Sequence, residues 1–197
     1  MNSFDLNTLS WLNGLAGHSA ILDKVVAIFT NYSPVLFGLL FLVYYLPQTR
    51  DRQRMRRTII TAGVAGVIAL ATVAVIAHFV YRPRPFLVLP NQIHLLVPHS
   101  ADSSFPSDHA TGSAAFAVGM WHAPDRSARW LFTLVAILVG LSRLIAGVHW
   151  PTDVLLSFVL GGIITQLVYA LARPLRPQLD ALVTLIDRVL NRLLHRH

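Results

Sequence analysis

Residues 58–80 read TIITAGVAGVIALATVAVIAHFV, a run without a formally charged side chain. Crossing a bilayer takes about 20 residues of helix, so this run is long enough. Similar stretches occupy residues 20–46 (apolar after Asp23 and Lys24), 106–121, 130–146 and 151–172. The first is interrupted at Asn31-Tyr32-Ser33-Pro34, where a bend is expected. The 106–121 stretch is short and rich in alanine and glycine. Small residues let helices approach closely in lipid, so it is placed inside the bundle. Of the 197 residues 54% are hydrophobic and 13% are charged, against about 25% charged in ordinary soluble domains. The expected fold is all-α, an integral membrane bundle of five to six helices. It reads as one domain over residues 1–197, with a core at about 58–172.

The two ends read differently. Residues 1–17 hold a single charge, Asp5, and lack the positive start of a cleaved leader. A short interfacial helix is expected there, carried by Phe4, Leu9, Trp11 and Leu12. Residues 173–197 place Leu179, Leu182, Val183, Ile186, Val189, Leu190 and Leu193 among arginines. That is a basic amphipathic helix suited to lying on a membrane. The absence of cysteine excludes disulfides, iron–sulfur clusters and thiolate zinc sites. The net charge of +7 does not point to nucleic acid, because the basic residues sit at the ends of apolar runs.

Arginine placement sets orientation. With a loop at Arg50, Arg52, Arg54, Arg56 and Arg57 in the cytoplasm, Arg126, Arg129 and the tail fall on the same side. Twelve of the 16 basic residues are then inside, and Lys24, Arg82, Arg84 and Arg143 are outside. Around the outer arginines lie three polar segments: His78 to Pro85, Ser104 to His109, and Ser142-Arg143 followed by His149 and Asp153. Two arginines suit a dianion, which they grip with planar forks of donors. The Pro106-Ser107-Asp108-His109 stretch enters a helix, whose first N–H groups bind phosphate. His149 is placed as a nucleophile or base, Asp153 as a carboxylate that can fix its tautomer, and His109 as an acid near neutral pH. Imidazole with carboxylate also suits zinc. The chain has no glutamate and no close His-x-x-x-His pair, so no metal is expected. His18, His122, His195 and His197 read as surface residues.

This set resembles the type 2 phosphatidic acid phosphatase superfamily of membrane lipid phosphatases. The family carries Lys-x6-Arg-Pro, Pro-Ser-x-His and Ser-Arg-x5-His-x3-Asp in this order. The chain matches with Arg84-Pro85, Pro106 to His109, and Ser142-Arg143, His149 and Asp153. It departs where the lysine would fall, at Ala77, and His78 or Arg82 is taken to stand in. His78, Arg84-Pro85-Phe86, Ser104 to His109 and Gly147 to Asp153 look like bacterial undecaprenyl-diphosphate phosphatases in particular.

The resemblance implies hydrolysis of undecaprenyl diphosphate to undecaprenyl phosphate and phosphate, which recycles the lipid carrier for cell-wall synthesis. The reaction would run through phosphohistidine at His149, with His109 and Asp153 catalytic and no cofactor or metal. Arg84, Arg143, Ser107 and the N–H groups around Asp108 would hold phosphate oxygens. His78, Arg82 and His99 would hold a second phosphate. The expected setting is the bacterial inner membrane, with the site periplasmic and the C-terminus cytoplasmic. The alternatives are a phosphatidylglycerophosphate, phosphatidate or lipid A phosphatase on the same scaffold, and a non-catalytic lipid-phosphate binder or transporter. A binder has no use for both histidines and the aspartate.

Overall fold

The computed structural model describes residues 2–46 and 51–194, with residues 190–194 described by backbone alone. Arg50, His195, Arg196 and His197 lie outside the described residues, as do the side chains of Leu190, Arg192 and Leu193. The described residues form helices α1 (Ser3–Asn13), α2 (Ala20–Tyr45), α3 (Arg52–Phe79), α4 (Pro85–Val88), α5 (Asp108–Met120), α6 (Arg126–Ile145), α7 (Pro151–Ala172) and α8 (Arg176–Leu194). No strand occurs among them, so the chain is an all-α membrane bundle.

Four helices, α2, α3, α6 and α7, are long and apolar enough to cross a membrane. The fifth expected span is different. Helix α5 has 13 residues, about 20 Å at 1.5 Å per residue, and is too short to cross alone. It is the axis of the bundle, packed against α3, α6 and α7. Its small residues make this possible. A Cβ on Gly161 of α7 would lie 2.3 Å from the Thr111 carbonyl oxygen of α5, so only glycine fits at that crossing. The core beside it is aromatic, with Phe37 of α2 against Phe116 at 5.2 Å and Phe132 at 5.8 Å between centroids.

Local chemistry explains most helix starts. Ser19, Ser107 and Asp125 accept N–H groups of α2, α5 and α6, satisfying donors that no helical carbonyl reaches. One expectation is corrected. The run Arg52 to Arg57 belongs to α3 and is not a loop. Arginine forms helices well, and Arg56 and Arg57 pair with Asp187 and Asp180 of α8 at 2.5 and 2.6 Å. Helix α2 runs through Pro34 as one spanning helix, as the sequence indicates.

The N-terminal helix does not merely lie at the interface. It packs on α6 and α7, with Leu9, Leu12 and Asp5 buried. Asn13 donates to the carbonyls of His94 and Ile145 at 2.9 and 2.8 Å and accepts from the His94 N–H. It thereby pins the loop over residues 89–107 onto the end of α6.

Candidate active site

His149 stands one residue before the Trp150 cap of α7, in the turn that leaves α6. The turn needs Gly147, whose φ of 74° is left-handed and unfavourable for other residues. The imidazole is fully buried. Its Nδ1 lies 2.7 Å from the Ser104 carbonyl oxygen. A carbonyl only accepts, so the proton sits on Nδ1 and Nε2 keeps a free lone pair. That Nε2 faces Arg84 Nη1 at 3.3 Å and Arg143 Nη2 at 3.4 Å. Burial, followed by the charges of Arg143 and Arg84, holds the His149 pKa well below 6.5. His149 is a neutral imidazole facing two cations.

Both arginines are buried and fixed by backbone carbonyls. Arg84 donates to Val148 O at 2.8 Å and Ser103 O at 3.1 Å. Arg143 donates to Thr30 O of α2 at 3.1 Å. The Nε of Arg143 is shielded from solvent and has no hydrogen-bond partner. Such an orphan is costly in a finished core and is suited to an incoming oxyanion. Two groups of the 89–107 loop rest on the remaining donors. His99 Nε2 lies 2.9 Å from Arg143, and the Asp102 carboxylate lies 2.7 Å from Arg84.

The N-terminus of α5 faces the same cluster, close enough for the Asp108 charge to act on both Arg143 and His149. Only part of the expected anion cradle is open there. Ser107 Oγ caps the Ala110 N–H at 3.4 Å, and Asp108 Oδ1 takes the His109 N–H at 2.7 Å. The Ser107 N–H donates to Ser157 Oγ at 2.8 Å. The Asp108 N–H remains. The His109 imidazole sits 2.8 Å from the Asp108 carboxylate. It stands at one end of a cavity of about 330 Å³ whose apolar walls include Phe37, Phe41, Leu70 and Phe116.

Three expected placements differ. Among the described residues no hydrogen bond joins Asp153 to His149. Its carboxylate accepts from Ser104 Oγ at 2.5 Å, Arg82 Nη1 at 2.5 Å and the Trp150 N–H at 3.1 Å. Because α7 begins at Pro151, Asp153 falls on the helix's own first turn, and Ser104 spans the gap to the imidazole. Arg82 is absent from the arginine pair facing His149. It bridges Asp153 and Asp5, the latter at 2.6 Å, because two buried carboxylates demand a counter-charge. His78 ends α3 exposed, its ring edge-on to Phe79, and no hydrogen bond or ion pair among the described residues joins it to the cluster.

Sequence reasoning missed Asp5, Ser104 and Asp102. Asp5 gave a signal, as the lone charge of an apolar N-terminal stretch, because a buried carboxylate needs a cationic partner. Ser104 heads one of the three polar segments, but its part depends on where the α7 helix starts.

Comparison with known proteins bears on the fold and the family. The chain is 34% identical over 182 residues to "Undecaprenyl-diphosphatase BcrC" of Bacillus subtilis (strain 168), covering 92% of this chain and 91% of that protein. Its fold is similar to the crystal structure of Aquifex aeolicus LpxE, with a TM-score of 0.67 and 24% identity over 86% of this chain and 96% of that one. It is also similar to a PAP2-type phosphatidylglycerolphosphate phosphatase from Bacillus subtilis, with a TM-score of 0.59 and 22% identity over 88% of each chain. A family model described as the PAP2 superfamily matches residues 59–177. This multi-pass membrane protein belongs to the PAP2 superfamily.

Proposed function

We propose that the chain is a lipid phosphatase that hydrolyses undecaprenyl diphosphate to undecaprenyl phosphate and inorganic phosphate. One observation carries the reading: His149 Nε2 is unprotonated and lies 3.3 and 3.4 Å from two buried guanidiniums. A phosphate seated on those arginines puts its phosphorus within reach of the lone pair. The Nε2–P bond forms as the bond from phosphorus to the bridging oxygen breaks. The leaving lipid phosphate takes a proton from the His109 imidazolium. Neutral His109 then removes a proton from water, the water oxygen bonds to phosphorus, and the P–N bond breaks to release phosphate. Arg84, Arg143 with its unpartnered Nε, Ser107 Oγ and the Asp108 N–H oppose the charge on the equatorial oxygens. Phosphoryl transfer depends mainly on such placement. No metal takes part in this scheme.

A lipid substrate is supported by the apolar cavity that ends at His109, where a hydrocarbon chain has walls of Phe37, Phe41 and Phe116. The undecaprenyl assignment is supported by the BcrC relative. The test is phosphate release from undecaprenyl diphosphate, phosphatidate, phosphatidylglycerophosphate and lipid A, with EDTA present. Undecaprenyl diphosphate is expected to react fastest, and His149→Ala to abolish release and acid-labile phosphate labelling of the protein. A preference for a monoester, or loss of activity in EDTA, would overturn the corresponding part of this reading.

A further inference from the structure

The end of the bundle opposite His149 holds a second polar cavity, of about 250 Å³. It forms where α3 begins, α5 and α7 end, and α8 starts. Four guanidiniums line it: Arg54 and Arg57 from α3, and Arg173 and Arg176 from the α7–α8 junction. One carboxylate answers them, Asp180 on Arg57 at 2.6 and 2.7 Å. Among the described residues, Arg54, Arg173 and Arg176 have no anionic partner.

The cavity also has a built aromatic wall. Tyr169 is fixed by hydrogen bonds to Thr58 O at 2.9 Å and Gly119 O at 3.0 Å. His122, expected on the surface, stacks on Tyr169 with centroids 3.9 Å apart and planes at 11°. Its ring also meets the Gln166 side chain, and its Nε2 is shielded from solvent with no hydrogen-bond partner among the described residues. Burial, and then the charges of Arg173 and Arg54, lowers the His122 pKa from 6.5. Orienting a membrane protein takes an arginine excess on one side. It does not require those arginines to gather around a cavity. Arginine forks match phosphate oxygens, and basic pockets between membrane helices take phosphate headgroups.

We propose that this cavity is a second anion site, distinct from the His149 centre, which holds the phosphate-bearing headgroup of an anionic membrane lipid. An inner-leaflet headgroup reaches this depth directly. Because Arg176 and Leu179 of α8 line the cavity, the bound headgroup also clamps α8 against α3.

The test titrates the detergent-solubilised full chain with phosphatidylglycerol, phosphatidylcholine or inorganic phosphate, read by native mass spectrometry. Wild type is expected to retain one phosphatidylglycerol per chain in preference to phosphatidylcholine. The R54Q/R173Q variant should weaken that binding by about tenfold to thirtyfold, while R126Q, an exposed arginine outside the cavity, should leave it unchanged. Repeating the titrations in R84A/R143A removes the share held by the two arginines that face His149. Should R54Q/R173Q misfold, R176Q alone is expected to give a partial loss. Equal losses in R126Q, or none in the cavity variants, overturn the site. Inorganic phosphate binding as tightly as the lipid, with the same arginine dependence, overturns the lipid as occupant in favour of a soluble phosphate.

Discussion

Three neighbours act on the two nitrogens of His149. The Ser104 carbonyl takes the Nδ1 proton at 2.7 Å, while Arg84 and Arg143 press positive charge against Nε2. Burial and those charges disfavour imidazolium, so the free base persists below the ordinary pKa of 6.5. The acid limb of kcat/KM, which reports the free enzyme, is therefore expected below pH 6.5. Arg143→Gln removes one opposing charge and should move the limb upward even as total activity falls. A limb unmoved in the variant would show that the guanidiniums do not set the nucleophile's protonation. Asp153 acts at one remove, since Ser104 Oγ stands between it and the ring at 2.5 and 3.5 Å. It is a positioning residue, and a carbonyl still fixes the tautomer without it. Asp153→Asn should accordingly cost about tenfold to a hundredfold in kcat, less than the roughly 10⁴-fold loss when a carboxylate directly sets a catalytic tautomer. Ser104→Ala combined with Asp153→Asn should be non-additive, because both break one link; additive losses would separate their roles. Asp102 makes a different kind of contact, its carboxylate resting on Arg84 where a phosphate oxygen would bind. Asp102→Asn should lower KM severalfold with kcat kept, and a raised KM would instead mean that Asp102 aligns Arg84.

At the scale of elements, α1 and α5 depart most from what hydropathy alone shows. The four long helices were legible because a bilayer demands unbroken apolar runs, and the three polar segments were legible because charge at helix ends is costly there. Helix α1 was legible as a helix but not as part of the site. Its buried Asp5 holds Arg82 at 2.6 Å and accepts the Thr152 N–H at 2.9 Å at the start of α7, a long-range pairing that local pattern does not encode. Asp5→Asn leaves Arg82 with Asp153 as its only anion among the described residues, and should cost about 2 kcal/mol of stability, read as unfolding in detergent. Unchanged stability together with unchanged kcat would reduce α1 to an accessory. The small-residue pattern of α5 did signal close packing, though not its role as the bundle's axis. A methyl group on Gly161 must push against the Thr111 backbone, and Gly161→Ala is expected to cost about 1–3 kcal/mol with a matching fall in kcat, since α5 carries Ser107, Asp108 and His109.

For the molecule as a whole, the two polar ends differ in construction. The His149 end is roofed by a pinned loop and holds arginines fixed by carbonyls. The opposite end opens as a cavity, with α8 tied across it by the Arg56–Asp187 and Arg57–Asp180 pairs. The arginine excess belongs to the second end, so the positive-inside principle predicts that this end faces the cytoplasm and the His149 end lies outside. The natural absence of cysteine makes this orientation directly measurable, because any introduced thiol is unique. Ala101 lies exposed in the loop over the His149 cluster, and Ser127 lies exposed at the start of α6 on the arginine side. Ala101→Cys should react with a membrane-impermeant maleimide in cells whose inner membrane is intact, whereas Ser127→Cys should react only after permeabilisation. The reverse pattern would put the phosphate cradle in the cytoplasm, where arginine charge near the catalytic face would have to be reconciled with an excess on the outer one. A diphosphate headgroup arriving at the outer leaflet would then have no route to His149, so this labelling result bears on the substrate as much as on the topology.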